Sequence, residues 1–241
     1  MRRLLPSPGE IPDDLALAEA YRLPAGRSLR MDFIASLDGS IAVGGVSEGL
    51  QSPGDQRVFR VLRALADVVL VGHGTASAEG YGRVGPDTPL GRLRTSLGRP
   101  ATVPIAVVSR RASLAPGDKL AVPGTLLITC GSTDADRRAA LTDAGVDVLV
   151  CGKEDVDLPG ALDALARRGL EQVTCEGGPQ LLRSALAAGV VDELDLSIAP
   201  ALVGGGVRLV GDQPLTDVAR LDLRSLLEED GMLFARYRVR R

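Results

Sequence analysis

The sequence has no tryptophan, three tyrosines, three phenylalanines and a single histidine, His73. So few rings leave no platform on which nucleic-acid bases could stack. One imidazole cannot build a histidine-type metal centre or the H-x-E site of a zinc deaminase. Lys119 and Lys153 are the only lysines, so any phosphate clamp here is an arginine fork. No apolar run approaches the ~20 residues of a membrane span, and no apolar stretch follows the basic start Met1-Arg2-Arg3. The expectation is a cytoplasmic protein with no membrane partner. Cys130, Cys151 and Cys175 lie too far apart for a C-x-x-C metal or redox pair, and read as reduced, buried thiols. There is no G-x-x-x-x-G-K-[ST] run, which excludes a P-loop enzyme. The net charge of -3 gives no overall field to attract nucleic acid.

What is present is an aliphatic chain of 241 residues, 45% hydrophobic, enough for one large core. Short β-branched runs alternate with helical patterns. Strands are expected at Leu29–Ser36, Asp67–Gly72, Pro104–Ser109, Gly124–Cys130, Val146–Cys151, Gln172–Cys175 and Glu193–Ala199. Helices are expected at Ser52–Leu65, Asp134–Ala144, Leu158–Arg168 and Gly178–Ala188. Ser52 fits a helix N-cap, Pro53 the first helical position and Asp55 the first turn. Arg220–Leu227 and Met232–Arg240 read as a closing antiparallel hairpin. The pattern predicts an α/β fold with a mostly parallel central sheet and antiparallel C-terminal strands. Residues 1–27, with a short helical stretch near Asp13–Tyr21, read as an N-terminal arm on a single domain of residues 28–241. The Pro/Gly-rich stretch Gly82–Pro104 reads as a surface excursion.

Glycines gather where these strands end. In an open parallel sheet ligands bind at the carboxyl ends of the strands, and glycine there lets backbone approach a phosphate. Glu176-Gly177-Gly178-Pro179 is a strand end, a glycine turn and a helix start. Val71-Gly72-His73-Gly74-Thr75 is a second such turn, without the later acidic residue of a full Rossmann fingerprint. Pro200–Gly206 ends in three glycines and reads as a lid or a turn. Ser109-Arg110-Arg111 follows a strand directly, where a hydroxyl and guanidiniums suit a 2′-phosphate. Gly45-Val46-Ser47-Glu48-Gly49 matches the nucleophile elbow G-x-S-x-G, but its helix starts late and His73 follows too closely for a hydrolase triad.

Four segments taken in order are more specific: Ile34-Ala35-Ser36-Leu37-Asp38-Gly39; Ser52-Pro53 to Leu62-Arg63-Ala64; Val71-Gly72 to Thr75; and Glu176-Gly177-Gly178 to Val191-Asp192-Glu193-Leu194 and Ala199-Pro200. Over residues 28–240 they resemble the riboflavin-pathway pyrimidine reductase family, the reductase module of the bifunctional deaminase-reductase. The resemblance implies a dihydrofolate-reductase-like three-layer fold. It implies NADPH as cofactor and a phosphorylated ribosylamino-pyrimidine as substrate, reduced from ribose to a ribityl chain. By the same resemblance Thr75, Glu79, Ser109 and the turn Gly178, Pro179, Gln180, Leu181 hold NADPH, with Ala35 and Gly49 beside it; the strand-end reading adds Gly72, Arg110 and Gly177 to that set. Ser47, Arg63, Arg83 and Asp32 face the substrate, Arg63 as a phosphate or sugar anchor. Glu176 is the catalytic candidate, at the junction of substrate and nicotinamide. Asp32 stands where family members often carry Lys or Asn, and a carboxylate there favours amidine-type N–H donors, as in a pterin or a 2-aminopyrimidine. The alternatives are a pterin or dihydrofolate reductase on the same fold, and a nucleotide-binding protein without turnover. The resemblance also implies a homodimer, with Leu194–Pro200 as the surface for pairing.

Overall fold

The structure, a computed structural model, describes residues 1–240. It begins with β1 (Arg2–Leu5), β2 (Gly9–Glu10) and α1 (Asp14–Tyr21). The first long strand, β3 (Ser28–Ser36), alternates its side chains between two faces, as a pleated strand must. Leu29, Met31 and Phe33 join the core on one face; Arg30, Asp32 and Ile34 point to the other. Helix α2 (Pro53–Leu65) follows, started by Ser52, whose hydroxyl accepts the Asp55 N–H at 3.1 Å. Val58, Val61 and Leu62 are buried on it. Removing the Leu62 side chain would cost about 2–5 kcal/mol.

Next come β4 (Val68–Gly72), α3 (His73–Ala78), α4 (Pro89–Ser96), β5 (Ile105–Val108), β6 (Thr125–Thr129), α5 (Ala135–Asp143) and β7 (Asp147–Val150). The chain then runs through α6 (Leu158–Ala166), β8 (Gln172–Cys175), α7 (Pro179–Ala187) and β9 (Glu193–Ala199). It ends in the hairpin β10 (Leu221–Glu229) and β11 (Met232–Val239). One 11-stranded sheet results, in the order β2-β1-β10-β11-β9-β3-β8-β4-β5-β6-β7. The strands from β9 to β7 are parallel; β11, β10, β1 and β2 are antiparallel. This is the expected α/β architecture. One core lies between the sheet and α6 and α7, and another beneath α1, α2 and α4. The three cysteines are buried and free, and burial pushes the Cys175 thiol up to about 12. Among the described residues no helix is long and apolar enough to cross a membrane.

Three features differ from the sequence reading. Arg2–Leu5 pairs with β10 and so extends the sheet, and α1 packs on α2. The stretch Gly82–Pro104 contains α4, capped by Thr88 and docked on α2 through the buried Arg94. Arg94 Nη1 donates to the carbonyls of Arg63 at 2.9 Å and Ala66 at 2.6 Å, satisfying the C-terminal end of α2. The segment Leu194–Pro200 offers no pairing edge, because β9 lies inside the sheet between β3 and β11.

Candidate active site

Three strand ends meet at the carboxyl edge of the sheet. The Gly72 N–H donates to the Gly177 carbonyl at 2.7 Å, which joins the turn after β4 to the turn after β8. Contacts explain both glycines. A Cβ on Gly178 would sit 2.5 Å from Thr75 Oγ1, and one on Gly177, at φ +88°, 2.9 Å from Phe33 Cζ. The Gly177–Gly178 peptide is cis. A cavity of about 490 Å³ opens beside them, in the size range of small-ligand sites. Phe33, Ile34, Ile41, Phe59 and Val207 give it apolar walls.

Its charged lining is lopsided. Asp32, Asp55, Glu79 and Glu176 bring four carboxyl groups, against the single guanidinium of Arg63. Arg63 is already engaged. Its Nε and Nη2 donate to the two Glu176 oxygens, both at 2.7 Å, and Tyr81 Oη donates to Glu176 Oε2 at 2.5 Å. The guanidinium also stacks on Phe59 at 4.2 Å and faces Tyr81 at 5.1 Å. Burial opposes its charge, but Glu176 alongside holds Arg63 firmly protonated. Burial and the Glu176 charge push Tyr81 well above its usual range. The Asp32 carboxyl has no hydrogen-bond partner among the described residues. Burial, then Glu176, Asp55 and Asp195, hold it well above the usual carboxylate range. Asp55 is raised by burial, against a hydrogen bond with Ser197.

Other sequence candidates fall into place around this floor. Asp32, Ser47, Arg63, Thr75, Glu79, Glu176, Gly178 and Pro179 line the cavity. Glu79 accepts the Ser47 N–H at 2.8 Å and so braces the loop after β3. Ser47 accepts from Gln51 Nε2 at 3.2 Å, and a 3-10 turn, Glu48–Leu50, follows it. Gly49 packs against Val43, where a Cβ would come within 2.8 Å. Ala35, Gly72, Gly177, Gln180 and Leu181 are not among the lining residues. Asp38 ties the turn after β3 to the triple-glycine loop, accepting the Gly204 N–H at 2.7 Å and the Val203 N–H at 3.1 Å. Hydrogen bonds from Ser36, Gly204 and Val203 lower its carboxyl to about 2.

The structure does not bring every candidate in. The Arg83 guanidinium lies outside the lining, donating to the Pro123 carbonyl at 2.8 Å. Arg63 is not a free phosphate anchor, because two of its nitrogens are taken by Glu176. Ser109 is buried and accepts the Ser113 N–H at 2.9 Å, while Arg110 is exposed at the end of β5, one strand from Gly72. Asp55, Phe59 and Tyr81 were not singled out as site residues. Asp55, Phe59 and Arg63 stand four residues apart, on one face of α2, so that spacing was visible in the sequence. Tyr81 arrives through a long-range contact and left no local signal.

Two helices point their first turns at this region without a side-chain cap. Helices α1, α2, α4, α5 and α6 each have an Asp, Ser or Thr cap. Helices α3 and α7 start from Gly72 and Gly178 with none. In α7 the first residue, Pro179, has no N–H and the Leu181 N–H donates to the Gly178 carbonyl at 3.0 Å, so the N–H groups left for a ligand or for water come mainly from the first turn of α3. A dinucleotide phosphate fits that donor set.

The chain matches the model of the RibD C-terminal domain over residues 27–231. A pyrimidine reductase-like protein from Corynebacterium diphtheriae superposes with a TM-score of 0.78 and 31% identity, over 89% of this chain and 92% of that one. The 2,5-diamino-6-ribosylamino-4(3H)-pyrimidinone 5′-phosphate reductase of Methanothermobacter thermautotrophicus is 29% identical, over 78% of this chain and 87% of its own length. Riboflavin biosynthesis protein RibD of Bacillus amyloliquefaciens is 29% identical over 80% of this chain but 52% of its own, so this chain spans about half of that relative. With the strand order, the paired glycine turns and the cavity already in place, these likenesses establish that the chain belongs to the RibD C-terminal domain family.

Proposed function

We propose that the chain is an NADPH-dependent reductase of a ribosylamino-pyrimidine 5′-phosphate, converting the sugar ring to an open ribityl chain. The observation that carries this reading is the acid-lined cavity set against two uncapped helix starts: a donor-rich heterocycle suits the first and a dinucleotide suits the second. NADPH, when bound, supplies the hydride. The turns Gly72–Thr75 and Gly177–Leu181 would hold it, with Ala35 and Gly49 behind and Ser109 and Arg110 toward its 2′-phosphate.

The protein's own work is to hold, orient and exclude water. Glu176 holds both the Arg63 guanidinium and the Tyr81 hydroxyl, and would do so at the junction with the sugar. The Glu79 carboxylate holds the Ser47 loop over the substrate. Phe33, Phe59 and Val207 give the bound ring apolar walls to pack against. Asp32 faces the heterocycle, where a carboxyl group suits adjacent amino and ring N–H donors. That favours a 2-amino-4-oxo ring, and it is also the observation that favours a pterin as second reading.

The reading includes a homodimer in the cytoplasm. The test is loss of reduced-nicotinamide absorbance on adding a ribosylamino-pyrimidine phosphate or a dihydropterin. Turnover with the pyrimidine supports the proposal. Turnover with the pterin alone replaces it with the second reading. NADPH binding without turnover on either leaves a binding protein and overturns it.

A further inference from the structure

Among the described lining residues Tyr81 alone carries a phenol. The chain leaves α3 through Gly80, at φ +66°, and the Tyr81 N–H donates to the Ala76 carbonyl at 2.9 Å. The ring packs against the cluster built from β4 and β5, which holds the hydroxyl in place from behind. That hydroxyl donates to Glu176 Oε2 at 2.5 Å, beside the fork that Arg63 sets on both Glu176 oxygens at 2.7 Å. A carboxylate has about four acceptor positions, and these donors fill all but one of them. The Glu176 side chain is 2% exposed, against 14% for Arg63. Glu176 is sealed behind its partners, and a ligand meets those partners first.

We infer that Tyr81 determines specificity in this cavity: with its proton pledged to Glu176, its oxygen accepts a hydrogen bond from a hydroxyl of the bound sugar, and the free Nη1 of Arg63 donates to the same group. Glu176 is then a positioning residue, which fixes the polarity of both. The identity of the ligand rests on the ribosylamino-pyrimidine reading; the fixed polarity of Tyr81 does not.

The bonding of the two side chains supports the assignment. A phenol oxygen carries one proton and two lone pairs, so a Tyr81 that donates to Glu176 can only accept from the cavity. Burial and the Glu176 charge hold the phenol well above its usual range, so the proton stays on. Arg63 Nε and Nη2 are bound to Glu176, whereas Nη1 has no partner among the described residues and is not sealed from solvent. The Arg63 guanidinium lies 5.1 Å from the Tyr81 ring, and the two side chains interact directly. Even with that contact, one lone pair of the phenol remains. A donor and an acceptor therefore stand side by side. A hydroxyl, which both gives and takes a hydrogen bond, matches that couple. The amino and N–H edge of a 2-amino ring, which only gives, does not. The sugar belongs with Tyr81 and Arg63, and the ring edge with Asp32.

The test measures Kd by calorimetry, with the full chain in the presence of NADP+. The ligands are a ribosylamino-pyrimidine phosphate and its 2′-deoxy, 3′-deoxy, 2′-fluoro and 3′-fluoro forms. Fluorine fills the space of the hydroxyl but brings no proton. At one of the two positions the deoxy and fluoro forms should both bind about three- to tenfold more weakly than the parent. In Tyr81→Phe the parent should weaken by that same factor and the gap should vanish. The NADPH Kd should move less than about threefold, which reports that the variant is folded. If Tyr81→Phe does not fold, Glu176→Ala takes its place: it frees the Tyr81 proton, so the fluoro form should recover relative to the parent. Equal affinities for all the ligands in the wild type, a fluoro form as tight as the parent at both positions, or a gap that survives the variant overturns the assignment. Hydroxyl selection lost in Tyr81→Phe, in a chain that reduces none of the ligands, would keep the assignment and overturn the reductase reading. Turnover with a surviving gap would do the reverse. A chain that binds none of the ligands overturns both.

Discussion

Arg30 and Asp32 leave the same face of β3 two residues apart, yet they enter different surroundings. Arg30 joins a closed cluster under α1. It bonds Glu193 at 2.8 Å and Asp195 at 2.9 Å, and Arg236 bonds Glu193 at 2.8 Å from the other side. Two guanidiniums meet two carboxyls over the Tyr21 ring, and the site is sealed. Asp32 opens instead into the cavity, where four carboxyls meet one guanidinium. Both clusters are costly to desolvate. The balanced one is spent on holding the antiparallel strands to the parallel sheet. The unbalanced one is left poised for a ligand to complete.

That contrast can be broken or sharpened by substitution. Arg30→Ala should have the largest effect on the fold, because it leaves two buried carboxyls, Glu193 and Asp195, to the single guanidinium of Arg236. A loss of about 3–5 kcal/mol in urea unfolding is expected. A loss below about 1 kcal/mol would erase the distinction between the clusters. Arg63→Ala should act on function. It frees the Glu176 carboxylate and should raise the substrate KM about ten- to a hundredfold, or ~1.4–2.8 kcal/mol. The NADPH Kd should change by less than about threefold; equal loss of both would count against the role of Arg63 at the substrate.

Asp32→Asn should change the pH dependence of stability. The folded chain holds the Asp32 proton more tightly than the unfolded chain does. Its contribution is therefore intact below the unfolded value of about 3.9, and is lost as pH rises through the raised folded value. Thermal melts should show the wild type losing stability with rising pH more steeply than Asp32→Asn; parallel curves would contradict this. The smallest effect belongs to Asp38→Asn. Asp38 is lowered to about 2, so its contribution holds above about 3.9 and fades as pH falls through about 2. Acid melts should lose that step in the variant, while KM moves less than about threefold.

The sheet was legible in the sequence where short-range patterns decide it. Gln172–Cys175 and Glu193–Ala199 stand where β-branched and apolar runs put them. Helix α4 was not, although Thr88 and Pro89 are proper start signals. An arginine on a helix reads as solvated, and Arg94 is buried because its partners are carbonyls of α2, thirty positions away in the chain. β1 was missed for the same reason, since its pairing with β10 spans the whole molecule. In the site, the glycine turns and Glu176 followed from strand ends and turn chemistry. The Arg63–Glu176 bond and the Tyr81 hydroxyl depend on tertiary distance, which no local pattern encodes.

The most direct test compares two glutamates that each bind an arginine, Glu176 in the cavity and Glu193 in the sealed cluster. Turnover per folded molecule should be measured in Glu176→Gln and Glu193→Gln, with folding monitored in the same samples. Glu176→Gln should lose about a hundredfold in turnover with its unfolding midpoint little changed. Glu193→Gln should lose stability while each folded molecule keeps its rate. Wild-type turnover in Glu176→Gln, or a folded but inactive Glu193→Gln, would contradict the account.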